Sequence, residues 1–201
     1  MDPTDADRRA LALAPFPPEV LALLAAHDAR PRLVAHLTLV HDVARRLVAS
    51  VQHAWPALAV DPEAVAFGAA THDLGEALHP RELVAPGTAH ESDGEALLRR
   101  AGFDAARARF ARTHGTPFNT LDELPLDDLL AITADTVWKG RRALPLDDAL
   151  VAAIQRGCGV AAWKAFAGLD TILAASSVAP SASVCSMCAA RSSRRSTPST
   201  S

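Results

Sequence analysis

Aromatic side chains are scarce in this chain: tyrosine is absent, and three tryptophans and six phenylalanines make up 4% of the residues. Since hydrophobic residues still reach 49%, the apolar content is largely Ala, Leu and Val, which favours tightly packed helices over a sheet. Charge of one sign is also lacking: the formal net charge is −3 and the pI about 6.2, so there is no basic field of the kind that duplex nucleic acid attracts. Cysteine occurs only at Cys158, Cys185 and Cys188, an odd number that argues against a disulfide framework. No stretch approaches a membrane span without charge, and the acidic N-terminus carries no useful apolar run; a cytoplasmic protein is expected.

At 201 residues the chain is long enough to bury one substantial core. The division expected is a flexible arm over 1–17, one all-α domain over 18–175, and a disordered tail over 176–201. That tail is rich in Ser, Thr and Arg and cannot bury enough apolar surface to offset the entropy of ordering. Cys185 and Cys188 within it have zinc-knuckle spacing, but no second ligand pair follows to complete a structural zinc site.

The central stretch is Val65 to Pro80, VAFGAATHDLGEALHP, in which an apolar helix ends on His72 and Asp73. Val65, Gly68 and His72 recur at the spacing of one helix face, with Ala69 and Ala70 beside them, so neighbouring helices can approach closely. An imidazole nitrogen next to a carboxylate that can bridge two cations suits Zn, Mn, Fe, Co or Ni. Gly75 is expected to end the helix at positive φ. Asp61 caps the start of this helix, with Pro62 at its first position.

Other polar residues fall at compatible helical positions. A long helix from Pro31 to about His53 places His36 in a stripe with Leu33, Val40, Val43 and Leu47, whereas His27, His41 and His53 fall off that face and read as surface. Thr88 and Glu91 form a Thr-x-x-Glu capping box that puts His90 in the first turn of the next helix. Asp104 caps a short helix whose inner face is Ala106, Phe110 and His114. After Leu124-Pro125, Asp128, Ile132, Asp135 and Lys139 line up on one face. Asp135 is surrounded by apolar neighbours, where an uncompensated carboxylate costs several kcal/mol, so it requires a cationic partner. Two further helices, Leu144 to Gly157 and Val160 to Ala175, complete the packing, with Trp163 and Phe166 in the core.

The order His36, His72-Asp73, His90, His114, Asp135, together with the segments AHLTLVHDVARRL, ATHDLGEALHP, GTAHESDGEALLRRAG, RTHG and ITADTVWKGRR, resembles the HD-domain superfamily of metal-dependent phosphohydrolases. It does so across roughly Arg30 to Ala167. One departure is Glu76, where many relatives carry lysine. The resemblance implies an all-α HD-domain bundle around a central metal site, with one or two divalent cations drawn from Mn, Fe, Co, Ni, Zn and Mg. His36, His72, Asp73 and Asp135 would hold the first, and Asp73 would bridge to a second held by His90 and His114. Glu76 resembles the glutamate of HD-domain 5′-deoxynucleotidases and (p)ppGpp hydrolases, and with Asp73 it is the expected catalytic pair, orienting water or protonating the leaving oxygen. Arg32, His79 and Lys139 are candidates to hold substrate.

The function expected is hydrolysis of a phosphate ester on a small molecule, a nucleotide being the first choice. A mononuclear site, a di-iron oxygenase with the same ligands, and a nucleotide-binding module without turnover all stay open. The expected partners are the phosphorylated small molecule and, where the chain self-associates, a second copy; membrane and duplex nucleic acid are not.

Overall fold

The computed structural model describes residues 13–82 and 84–176. Every regular element among them is helical, and there is no strand. In chain order these are α1 (Pro18–Ala26), α2 (Pro31–Ala54), α3 (Pro62–Thr71), a 3-10 turn (Leu74–Ala77), α4 (Ala89–Arg100), the short α5 (Ala105–Ala108) and α6 (Phe110–Thr113), a second 3-10 turn (Leu121–Glu123), α7 (Leu126–Val137), α8 (Leu144–Cys158) and α9 (Ala162–Ser176). The all-α expectation holds.

Local signals account for most of these boundaries. Proline opens α1, α2 and α3, where its missing N–H costs nothing. The Asp61 carboxylate accepts from the N–H groups of Glu63 and Ala64, both at 3.0 Å, and Asp104 accepts from Arg107 N–H at 2.8 Å. Gly159, at φ 65°, closes α8 in the left-handed region open to glycine. Thr88, by contrast, makes no side-chain cap. The expected capping box does not form, because the Glu91 carboxylate lies instead against Gly115.

Helices α2, α3 and α7 pack on one another, α4 lies on the first 3-10 turn and on α6, and α9 covers α8 and α2. Leu33, Leu37, Leu47, Leu129 and Leu130 are all fully buried; each such side chain contributes roughly 1.5–3 kcal/mol of transfer free energy. One apolar cluster runs through α2, α3, α7, α8 and α9, and a second joins α1, α2, α3 and α4.

Three burial expectations are corrected. His41 is fully buried, because the segment before α1 covers that side of α2: Ala14 N–H donates to Asp42 Oδ1 at 3.1 Å and the Phe16 ring lies 5.4 Å from the His41 ring. Phe16 itself is buried, so the end of the N-terminal segment packs onto the domain. Trp163 and Phe166, placed in the core from sequence, are 68% and 47% exposed; α9 turns Ala165, Leu169, Ile172 and Leu173 inward instead. Ala106 is likewise exposed, while Ala108, Phe110 and Ala111 form the inner face. Of the tail expected to be disordered over 176–201, Ser176 is the buried last residue of α9, and the rest, with Cys185 and Cys188, lies outside the described residues.

Candidate metal centre

His72 N–H donates to Gly68 O at 2.8 Å, extending the α3 ladder, and the chain then tightens into the 3-10 turn. Two glycines allow the neighbours in. A Cβ on Gly68 would strike the Phe110 ring, and one on Gly75 would strike the backbone carbonyl of His90. Gly75 is therefore required by close approach, not by the positive φ expected of it: the described positive-φ glycines are Gly102, Gly140 and Gly159. This contact seats the first turn of α4, and with it His90, beside Asp73.

The six residues picked out from the sequence converge as two groups, His36, His72 and Asp135 in one and Asp73, His90 and His114 in the other, each with ligand atoms within 4.8 Å of one another. His36 Nε2 is 3.3 Å from His72 Nε2, and His90 Nε2 is 3.1 Å from His114 Nε2. Asp73 spans the groups. Its Oδ2 lies 2.9 Å from His36 Nε2 and 3.2 Å from His72 Nε2, while its Oδ1 lies 3.0 Å from His114 Nε2 and 3.6 Å from His90 Nε2. Asp135 Oδ1 lies 3.4 Å from His36 Nε2.

The orientation of the rings suits cation binding. His72 Nδ1 donates to Ala69 O at 3.0 Å, His114 Nδ1 to Ala111 O at 2.9 Å, and His90 Nδ1 to the Glu82 carboxylate at 2.6 Å. With Nδ1–H engaged, each neutral imidazole turns its Nε2 lone pair to the centre, as metal-binding histidines do. Imidazole and carboxylate donors together fit a divalent transition metal. Among the described residues, these are the groups able to hold one.

Before any cation binds, the charges balance internally. Burial pushes the His72 imidazolium down, but the Asp73 carboxylate and Asp135 more than reverse this and raise its pKa to about 9. Burial also opposes ionisation of Asp73, yet His72, His114 and His36 hold its carboxyl well below the usual range. Asp135 is likewise lowered against its burial by His72, His36 and Lys139. Its cationic partner is thus in part Lys139, whose Nζ sits 2.9 Å from Oδ2, while Trp138 Nε1 donates to Oδ1 at 3.1 Å. Glu76 is pushed up to about 7 by burial and then by the neighbouring Asp73 charge, with Arg32 among the groups pulling it down.

A cleft of about 270 Å³ opens beside Asp135, lined also by Lys139, Arg141, Arg142, Thr136 and Phe118. Arg142 is engaged with Asp147 at 2.8 Å and Asp170 at 3.1 Å. Arg32 and His79 do not line this cleft; His79 Nε2 pairs with Asp93 Oδ2 at 2.6 Å.

Two residues escaped the sequence reading. Glu82 sits in a Pro- and Gly-bearing loop with no periodicity to place it, and Phe118 lies in the irregular segment before α7, 53% exposed. Asp128, placed on the ligand face of α7, is instead held by Arg109 Nε at 2.8 Å and the Thr113 hydroxyl at 2.6 Å. That buried carboxylate ties α7 to the turn just before His114.

An all-helical bundle with two clustered His/Asp groups is the architecture of a metal-dependent hydrolase-type protein. The family comparison agrees: the HD domain matches residues 33–154, and the chain belongs to that family. No curated protein matches the chain, and no solved structure does.

Proposed function

We propose that the protein hydrolyses a phosphate ester of a small molecule, a nucleotide in first place, with two divalent cations held by His36, His72, Asp73 and Asp135 and by Asp73, His90 and His114. The observation that carries this reading is the split of Asp73, one oxygen facing each group. Such a bound pair supplies hydroxide at neutral pH and neutralises the phosphoryl oxygens.

The chain's own residues do the rest. Glu76, raised to about 7 in the metal-free protein by burial and the Asp73 charge, takes a proton on its carboxylate from the attacking water and returns one to the leaving oxygen as a general acid–base group. Lys139 binds a phosphoryl oxygen at the mouth of the cleft, and Arg141, exposed and in no ion pair among the described residues, adds a second cation there. Phe118 offers a flat face for a base. Arg32, whose charge reaches Glu76, orients the substrate, and His79, paired with Asp93, holds the loop that follows the metal pair.

A screen of nucleoside monophosphates against ribose 5-phosphate and glycerol phosphate, with Mn²⁺, Co²⁺, Ni²⁺ and Mg²⁺, tests the reading. Phosphate release is expected, with Phe118→Ala raising KM for the nucleotides alone. Oxygen uptake by iron-loaded protein with no phosphate released overturns hydrolysis and supports the di-iron alternative.

A further inference from the structure

Three of the clustered imidazoles have their Nδ1–H fixed, but by different means. His72 and His114 follow the last turns of α3 and α6, where the carbonyl three residues earlier points along the helix and is free to accept; Ala69 O and Ala111 O do so. His90 is in the first turn of α4, where no preceding helical carbonyl exists. Its acceptor must come from another segment.

Glu82 supplies it. Its Oε2 accepts from His90 Nδ1 at 2.6 Å and from His90 N–H at 3.2 Å, so one carboxylate oxygen fixes both the ring and the start of α4. The glutamate side chain is only 16% exposed. It lies so close to Gly87 that a Cβ there would collide with it, and its own N–H donates to His79 O at 2.9 Å. Of the acceptors on these three rings, Glu82 alone is charged. A carboxylate behind an imidazole strengthens the ligand and locks its tautomer.

We infer that Glu82 is the positioning residue of the second cation: it aims His90 Nε2 at that ion and sets the affinity of the His90, His114 and Asp73 group, leaving the His36, His72 and Asp135 group alone. This rests on the two-cation reading of the site.

The test is Mn²⁺ titration of the full chain, read by calorimetry and by metal analysis of the purified protein, for wild type, Glu82→Ala, Glu82→Gln and Asp93→Ala. Wild type is expected to hold two ions. Glu82→Ala should weaken the second by about 10–100-fold at unchanged affinity for the first, which also reports that the variant is folded. Glu82→Gln keeps an oxygen acceptor without the charge, so its loss should be smaller. Asp93→Ala removes the neighbouring His79 pair, on the same segment and helix, without touching His90, and should leave both affinities as they are. Equal second-ion affinity in Glu82→Ala and wild type overturns the inference while leaving the two-cation reading intact. An equal loss in Asp93→Ala also overturns it, since general anchoring of the segment would then be the cause. A wild type that holds a single ion overturns the two-cation reading and this inference with it.

Discussion

Asp73 Oδ1 lies 3.0 Å from His114 Nε2, although the two residues belong to separate chain segments, brought together by the packing of α6 on α3 and α4. The other oxygen of Asp73 faces His36. A single carboxylate thus joins the two halves of the site, and its removal acts on both.

Asp73→Asn keeps the side chain's shape but removes the charge that both groups share. Both ions should be lost or bound only weakly, and phosphate release should stop, while helical content stays near wild type because the ligands sit on preformed helices. Metal analysis with circular dichroism checks this; two tightly held ions in the variant would rule out the bridging role.

His72 sets a pH dependence. Its pKa in the metal-free protein is raised from 6.5 to about 9 by the carboxylates beside it, so this stabilisation is fully present below about pH 6.5 and is lost as pH rises through about 9. A cation competes with the same proton. Below pH 9 the apparent affinity for Mn²⁺ should therefore rise with pH, by up to about tenfold per unit for one displaced proton. Denaturant midpoints of the metal-free protein at pH 6.5 and 9.5, set beside Mn²⁺ titrations at the same values, should move in opposite directions.

Glu76→Gln should lower kcat by about 10²–10⁴-fold with two ions still bound, since the side chain is not in either ligand group. In the wild type a limb of the pH–rate profile should report Glu76. Its pKa of about 7 is raised partly by the negative charge of Asp73, which bound cations offset, so the limb should fall below pH 7 when the site is loaded. Activity is lost on the acid side of it, and the limb should be missing in the variant.

His41→Ala separates burial from ligation. The sequence pattern placed His41 at the surface, where alanine is silent, but the residue is fully buried against Phe16. Truncation should cost about 2–4 kcal/mol, in the range for emptying a core position. Metal stoichiometry should not change. Urea unfolding monitored by circular dichroism measures the first, and metal analysis the second.

Much of this molecule is written in local sequence. Asp61, Asp104 and the prolines at helix starts specify boundaries through satisfied or absent N–H groups, and those choices depend on only a few neighbouring residues. The six clustered residues are legible in another way, through their order along the chain and its resemblance to the HD-domain superfamily, since local sequence does not mark His36 in the second turn of α2 as a ligand. What the tertiary structure alone decided are relations between segments. Which oxygen of Asp73 faces which histidines, that Glu82 is the acceptor for His90, and that Asp128 serves Arg109 and Thr113 all follow from the placing of α4, α6 and α7. His41 and Trp163 show the same limit, since periodicity tells which residues share a face, whereas burial depends on whether another segment comes to cover it.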